Sequence, residues 1–344
     1  MANKYLNAAK DVKDDEFYTT YESIVEELSH YTHHFKGKIV LCNCDDPYES
    51  NFFKYFAINF NQLGLKKLIC TCYDGSPVQG KELVVDLDIR SGNTKKHAHK
   101  VEITEVKDLN GDGAVDLADI QYLLKNDKNV ITLLKQHGDF RSKECIELLK
   151  QADIVVTNPP FSLFKELVSM LVKHKKKYLL VGNQNALTYK EIFPLIQNNE
   201  AWTGYRFGDM KFRVPSDSEP RKTRFWIDET GQKWRSLGNA MWLTNLDIEK
   251  RYQKLILTKT YTPEEYPKYD TYDAINVKRC IDIPKDYSGI MGVPITIINK
   301  YNPEQFELIG EANHGSDNEY DLFKPLLHGR YLFKRILIRN RNPE

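Results

Sequence analysis

One stretch, residues 153–164, constrains the fold of this chain more than any other. It opens with the β-branched run Ile154-Val155-Val156-Thr157, which predicts a buried parallel strand. Asn158-Pro159-Pro160-Phe161 follows at once, and because proline has no backbone N–H and a fixed φ, strand pairing must stop there. Apolar residues at helical spacing then run from Ser162 to Lys173. This order places Asn158 and Phe161 at the carboxyl edge of a sheet, where open α/β sheets bind their ligands.

The Asn-Pro-Pro-Phe turn carries groups that suit one kind of chemistry. The side-chain oxygen of Asn158 accepts one hydrogen bond from an exocyclic amine, and the carbonyl of Pro159 accepts a second. Phe161 offers a ring on which a base can stack, an interaction worth about 1–3 kcal/mol per base. The turn therefore indicates methylation of the amine of a flipped-out nucleobase. The alternative is a proline-rich loop after a core strand, with Phe161 packed in the interior.

Three further stretches place this turn in a family context. They are residues 13–21 (Lys-Asp-Asp-Glu-Phe-Tyr-Thr-Thr-Tyr), 41–47 (Leu-Cys-Asn-Cys-Asp-Asp-Pro) and 50–56 (Ser-Asn-Phe-Phe-Lys-Tyr-Phe). Together with residues 153–164 they resemble the EcoRI-type DNA adenine-N6 methyltransferase family. The resemblance implies methyl transfer from S-adenosylmethionine to N6 of a flipped adenine in double-stranded DNA, within or derived from a restriction–modification system. The catalytic residues that it implies are Asn158, Pro159, Pro160 and Phe161.

Alternating strand and helix patterns predict an α/β fold. Apolar runs at 38–42, 66–73, 153–157 and 177–182 indicate strands, with helices at 50–63 and 142–151 and a closing hairpin formed by 203–212 and 238–245. The resemblance implies a Rossmann-like methyltransferase sheet with helices on both faces, and we assign residues 1–250 to this catalytic domain. Residues 251–344 are rich in tyrosine and proline and end in interleaved basic and aromatic residues, which suit phosphate contacts and groove insertion. We expect a DNA target-recognition region there, although a solvated strand face is the alternative.

The resemblance also implies a set of cofactor-binding residues. They are Tyr18, Thr19, Cys42, Asn43, Asp45, Asp46, Asp139 and Asn158, with Asp74 added because an acid at the end of the second strand often binds ribose. The turn after the first strand has no glycine, although cofactor-binding turns usually carry several. For Asp45, Asp46 and Asp139 the alternative role is a helix cap, and for Tyr18 and Thr19 it is the start of an ordinary capped helix.

A separate signal lies between residues 108 and 119. Oxygen ligands fall at the loop positions of an EF-hand: Asp108, Asn110, Asp112, the Ala114 carbonyl, Asp116 and Asp119. A helix is predicted directly afterwards, at 117–125. This pattern predicts a structural calcium ion in an insertion near residues 105–126, and the alternative is an Asp/Gly-rich surface turn without metal. The methyl transfer does not require it.

Composition bears on the number of domains, the expected location and the type of partner. The 344 residues are 41% hydrophobic and suffice for one large or two smaller domains. No apolar run is long enough to cross a bilayer and no signal segment precedes the chain, so we expect a cytoplasmic protein without a membrane partner. Net charge is only +1, so a DNA binder of this composition must concentrate its basic residues on one face. The six cysteines favour reduced core thiols over a zinc site.

Several functions remain open at this point. The same turn also occurs in methyltransferases that act on RNA or on protein amides. Because the turn after the first strand has no glycines, a DNA-binding protein without catalytic activity is one alternative. Because of the acidic loop at 108–119, a calcium-dependent interaction module is another. A cognate restriction endonuclease acting on the same site is a possible partner. The sequence does not give the DNA target.

Overall fold

The computed structural model describes residues 17–43, 50–72, 98–109, 111, 114–126, 131–216, 218–312 and 325–344. Contacts divide the chain into two compact units. Unit 1 comprises residues 1–183 and 206–246, and unit 2 comprises residues 184–205 and 247–344. The sequence assigned 184–205 to the catalytic part. The functional division at residue 250 stays a prediction.

Unit 1 is built on a large mixed sheet flanked by helices, which confirms the predicted α/β class. The strands of this sheet are β1 (Tyr18–Thr19), β2 (Ile39–Asn43), β3 (Lys67–Cys72), β4 (His99–Ile103), β5 (Ile131–Leu133), β6 (Ile154–Thr157), β7 (Lys177–Asn183), β8 (Trp202–Arg213), β9 (Phe225–Ile227) and β10 (Lys233–Thr244). The helices are α1 (Tyr21–Leu28), α2 (Thr32–Phe35), α3 (Asn51–Ile58), α4 (Phe60–Leu63), α5 (Leu117–Asn126), α6 (Lys143–Gln151) and α7 (Phe164–Lys173).

Strand order explains where a ligand can bind. The order is β1-β8-β10-β7-β6-β2-β3-β4-β5, with β9 paired to β10. Strands β7, β6, β2 and β3 are mutually parallel, so their carboxyl ends meet at one edge. Strand β10 runs antiparallel to β7 and β4 antiparallel to β3. The sheet is therefore parallel only at its centre, where the sequence runs are continuously apolar.

The centre of the sheet forms the core of unit 1. All four residues of β6 are buried. Helix α7 packs against the next strand, β7, and buries Phe164, Leu167, Val168 and Leu171, the apolar positions of its helical repeat. A fully buried side chain of this size contributes about 1.5–3 kcal/mol. Gly182 of β7 allows close packing, since a Cβ at that position would lie 2.5 Å from Cε2 of Phe164.

Unit 2 has its own small sheet. It contains helix α8 (Phe193–Gln197) and the strands β11 (Ile275–Asn276), β12 (Met291–Pro294), β13 (Phe306–Ala312), β14 (Leu326–Leu327), β15 (Arg330–Tyr331) and β16 (Arg335–Asn340). The order is β11-β12-β16-β13, and β14 and β15 form a separate hairpin. Strand β12 stops at Pro294, which has no N–H with which to continue the ladder, and residues 295–300 form a 3₁₀ helix. Among the described residues, no helix combines the length and apolarity needed to span a membrane.

Candidate functional site

Asn43 and Asn158, two of the predicted site residues, lie at the carboxyl edge of the parallel strands. Asn43 ends β2 and is the register partner of Thr71 near the end of β3. Thr157 ends β6, and its hydroxyl donates to the Asn43 carbonyl. Asn158 follows directly. The edge that the sequence predicted therefore exists, with polar side chains from three neighbouring strands.

The Asn-Pro-Pro-Phe turn has the predicted strand–turn–helix form. Strand β6 stops at Thr157, the backbone N–H of Leu163 donates to the Pro160 carbonyl at 2.9 Å, and α7 begins at Phe164. The side-chain Nδ2 of Asn158 donates to the backbone carbonyl of Phe17. Its Oδ1 is buried and has no hydrogen-bond partner in the part of the chain that the structure describes. The amide is thus held by its donor end, and its acceptor end is left for a ligand.

Phe17 contacts the catalytic turn, although the sequence assigned no role to it. Its ring centroid lies 5.2 Å from that of Phe161 and 5.5 Å from that of Phe212, and it is buried whereas Phe161 is half-buried. The guanidinium of Arg235 covers the ring at 5.0 Å from its centroid. Phe161 is therefore backed by a packed aromatic column and is itself only partly buried. The sequence signal for Phe17 was its place within residues 13–21, one of the stretches that carry the family resemblance.

Strand β1 places the N-terminal candidates next to the turn. It pairs with β8 through Tyr18↔Arg213 and Thr19↔Phe212. The Thr19 carbonyl accepts from Asn51 Nδ2 at 2.8 Å, which ties β1 to the start of α3. The Thr20 hydroxyl caps α1 by accepting from the Ser23 N–H at 3.2 Å, as the sequence predicted.

Several buried side-chain oxygens near the turn have no hydrogen-bond partner among the described residues. Thr19 Oγ1, Asn43 Oδ1 and Thr71 Oγ1 are buried and, like Asn158 Oδ1, lack a partner among the described residues. A buried polar group without a hydrogen bond costs about 1–3 kcal/mol, so such a set indicates a bound polar ligand. These four oxygens belong to short, uncharged Thr and Asn side chains. The set fits the hydroxyl and amino groups of a nucleoside-type cofactor better than it fits a phosphate.

Of four further predicted cofactor residues, the structure describes only Cys42. Cys42 is fully buried in β2 beside Cys70, so only its backbone is available to a ligand at this edge. Asp45, Asp46 and Asp74 lie outside the described residues.

Asp139 precedes α6, which runs back toward the start of β6, so this carboxylate also lies toward the carboxyl edge. It accepts from Arg141 side-chain nitrogens at 2.5 and 2.9 Å, and Arg141 also binds Glu166 of α7 at 2.9 Å. These hydrogen bonds from Arg141 hold the pKa of Asp139 below its ordinary value. Its side chain is 40% exposed, so the ion pair adds little stability. A cofactor role for Asp139 stays a prediction.

In the described part of the proposed calcium loop, the aspartate carboxylates accept hydrogen bonds from backbone N–H groups of the same chain. Asp119 is buried and accepts the N–H groups of Leu109 at 2.7 Å and of Asp116 at 3.0 Å. Asp116 accepts the N–H of Ala118 at 2.7 Å, so both acids cap α5, the predicted exit helix. Asp108 accepts from Gly111 N–H at 2.7 Å. Asn110 and Asp112 lie outside the described residues. The described residues contain no group of three or more His, Cys, Asp or Glu side chains that could hold a metal ion. Calcium binding through Asp108, Ala114 and the other four positions stays a prediction.

Comparisons with known proteins place the chain in a family. The family model described as adenine-specific methyltransferase EcoRI matches residues 5–340. The chain is 47% identical over 343 residues to the type II methyltransferase M.EcoRI of Escherichia coli, covering 98% of this chain and 97% of that protein. It is 38% identical over 311 residues to the type II methyltransferase M.MpnI of Mycoplasma pneumoniae, covering 89% and 85%. The type II methyltransferase M.MgeORF184P of Mycoplasma genitalium is 36% identical over 312 residues, with the same coverage. No solved structure matched.

Proposed function

We propose, from the premise that this chain belongs to the family of adenine-specific EcoRI methyltransferases, that it methylates the N6 amine of adenine in double-stranded DNA. The observation that carries this proposal is the buried Oδ1 of Asn158, which has no partner in the described chain although its Nδ2 is engaged. The N6 amine supplies the donor that this oxygen lacks.

Each residue of the turn then has a distinct role. Asn158 Oδ1 and the Pro159 carbonyl accept the two amine hydrogens, which directs the nitrogen lone pair away from the turn. Phe161 stacks on the adenine ring, and its backing by Phe17 keeps the ring in place. Flipping a base costs a few kcal/mol, and stacking of about 1–3 kcal/mol together with the two hydrogen bonds offsets this cost. Pro160 stiffens the turn, and its carbonyl accepts a hydrogen bond from the Leu163 N–H.

S-adenosylmethionine is the cofactor that the family implies, and it supplies a methyl group on an already activated sulfonium. Thr19 and Asn43 would hold it through the buried oxygens that lack partners in the described chain, while Oδ1 of Asn158 is kept for the adenine amine. Tyr18 and the backbone of Cys42 border the same edge. The remaining contribution of the chain is positioning, because the leaving group needs no further activation.

Unit 2 is proposed to recognise the DNA target. Its β14–β15 hairpin turns at His328 and Gly329, both with positive φ, and their N–H groups donate to Asp270 at 3.0 and 2.8 Å. Beyond this fixed turn Tyr331 is 65% exposed and Phe333 is 69% exposed. Exposed aromatic side chains on a rigid hairpin suit insertion into a DNA groove. A solvated hairpin without this role is the alternative.

The test is methyl transfer from labelled S-adenosylmethionine to unmethylated DNA, followed by sequencing that maps N6-methyladenine. We expect label at adenine in one recurring sequence, and none with the Asn158→Ala variant, which should still bind the cofactor. Label in RNA or protein but not in DNA would favour the alternative methyltransferases, and absence of cofactor binding would favour a DNA-binding protein without catalytic activity. A recurring methylated sequence would also define the site at which to seek the cognate endonuclease of a restriction–modification pair.

A further inference from the structure

A second side-chain amide lies at the carboxyl edge, on the strand next to the Asn-Pro-Pro-Phe turn. Strands β6 and β7 are parallel neighbours, and Thr157 pairs with Leu180. Asn158 is therefore level with Val181. Asn183, the last residue of β7, lies two residues further on, which is about 7 Å beyond that level at about 3.3 Å per residue. A base that is held at Asn158 and extends away from the sheet therefore passes the end of β7, where Asn183 lies.

The Asn183 amide has a defined orientation. Its Oδ1 accepts a hydrogen bond from Nδ2 of Asn239 at 3.0 Å. Asn239 lies on β10, next to Ala240, which is the register partner of Asn183. Because the oxygen end of the amide is held in this way, the Nδ2 end, which carries two hydrogens, is the end that can donate to a ligand. Asn183 is only half-buried, so a ligand at this edge can reach it.

The amides of Asn158 and Asn183 have opposite orientations. Asn158 is held by its donor end and leaves Oδ1 as an acceptor, whereas Asn183 is held by its acceptor end. An acceptor beside a donor complements a base edge that offers a donor beside an acceptor. Adenine has such an edge, because its N6 amine adjoins the acceptor N1, and flipped bases are read on this edge. Guanine has the reverse arrangement, an O6 acceptor beside the N1–H donor.

We propose that Asn183, oriented by Asn239, donates a hydrogen bond to N1 of the flipped adenine. This inference rests on the proposed function, because it takes adenine as the base whose amine Asn158 and Pro159 hold. The contact fixes the rotation of the ring in its plane and disfavours a base that carries a hydrogen at this position. A site built to hydrogen-bond a group of its substrate discriminates against an analogue without that group, since the polar atom of the site then has no partner.

The test compares substrates that differ at one ring atom. Once the recurring methylated sequence has been mapped, duplexes are made in which the target adenine is replaced by 1-deazaadenine or by 7-deazaadenine, so that C–H replaces one ring nitrogen. For the wild-type protein, kcat/KM should fall about 5- to 150-fold with 1-deazaadenine, because a donor inside the site loses its partner. The value with 7-deazaadenine should stay close to that with adenine.

Asn183→Asp removes the proposed donor and keeps an oxygen that can accept from Asn239. Its kcat/KM with adenine should fall about 5- to 150-fold, and replacing adenine by 1-deazaadenine should then cause no further loss. A residue with only a structural role would lower kcat/KM for both substrates and keep their ratio. The ratio between the two substrates is therefore the readout.

Asn245→Asp is the matched control. Asn245 lies at the opposite end of the same strand pair, where its Oδ1 accepts from the Tyr178 N–H at 2.8 Å and its Nδ2 donates to the Lys176 carbonyl at 3.0 Å. The substitution removes a side-chain donor in the same way and should lower the melting temperature, but it should leave the ratio between the two substrates at the wild-type value. Cofactor affinity and thermal unfolding show that each variant is folded.

Three results would overturn the inference. They are equal methylation of adenine and 1-deazaadenine by the wild-type protein, a wild-type ratio in Asn183→Asp, and a loss with 7-deazaadenine in place of 1-deazaadenine. A wild-type protein that labels no adenine in DNA would overturn the proposed function instead, which distinguishes the two failures.

Discussion

Replacing Asn158 by Asp tests the proposed orientation of the catalytic amide. The wild-type side chain donates through Nδ2 to the Phe17 carbonyl and leaves Oδ1 as an acceptor. In Asn158→Asp the donor becomes a carboxylate oxygen that faces the carbonyl oxygen of Phe17. The size of the side chain is unchanged, so packing against the column formed by Phe17 and Phe161 should survive. Only the hydrogen-bonding pattern is altered.

The expected loss follows from the hydrogen bond and from burial. The Phe17 carbonyl loses its donor, and a buried group left without a partner costs about 1–3 kcal/mol. If the catalytic geometry depends on this bond, the loss appears in the transition state as a fall in kcat of about 5- to 150-fold at neutral pH. Cofactor affinity should change much less.

The sign of the pH dependence separates this explanation from a general loss of structure. Burial and the facing carbonyl oxygen both raise the pKa of the new carboxyl above its ordinary value, because they disfavour the charged form. The protonated acid can donate to Phe17 and keep one oxygen as acceptor, as the amide does. Activity of Asn158→Asp should therefore rise as pH falls toward that pKa and be lost above it. The assay is kcat at saturating DNA and cofactor across pH, relative to wild type at each pH.

Two variants serve as controls for this experiment. Asn158→Ala removes donor and acceptor together and should show no recovery at low pH. Asn51→Asp breaks a similar hydrogen bond to the same strand, since Asn51 Nδ2 donates to the Thr19 carbonyl at 2.8 Å, but this side chain does not contact the amine. The Asn51→Asp variant should have a lower melting temperature, but its kcat should not recover as pH falls. A wild-type rate for Asn158→Asp at neutral pH would refute the argument that Phe17 fixes the amide.

Three further predictions concern the cofactor site, the core and the recognition hairpin. Thr19→Val should weaken cofactor binding about 2- to 12-fold in calorimetry, the loss of one hydrogen bond, and unchanged affinity would show that the hydroxyl is not used. Gly182→Ala places a methyl group 2.5 Å from the Phe164 ring and should cost about 1–3 kcal/mol, or several degrees in melting temperature; an unchanged midpoint would mean that the ring moves freely aside. Tyr331→Ala should weaken binding to methylatable DNA about 5- to 150-fold with no change in melting temperature, and unaltered affinity would count against groove insertion.

Local features of the site were predictable because they depend on neighbouring residues. Two prolines after a β-branched run end a strand wherever they occur, and apolar residues at helical spacing begin α7 next to them. The hydroxyls of Thr20, Ser50 and Ser142 cap the helices that follow, and side-chain caps act within three residues. These short-range effects also fix which end of each strand carries the polar residues.

The hydrogen-bond partner of Asn158 was decided by tertiary structure. The Phe17 carbonyl lies 141 positions away along the chain and belongs to the backbone, which every residue shares, so no residue type announces it. The antiparallel direction of β4 and the assignment of residues 184–205 to unit 2 were equally beyond local patterns, because strand direction and unit membership depend on long-range pairing.

The sequence by itself therefore determined the chemical groups of the site and the edge of the sheet at which they lie. The tertiary structure decided which end of the Asn158 amide faces a ligand and that Phe17 backs Phe161. The physical reason is that local sequence sets backbone conformation over a few residues, whereas the orientation of a buried amide is set by whichever distant group can accept its hydrogen bond.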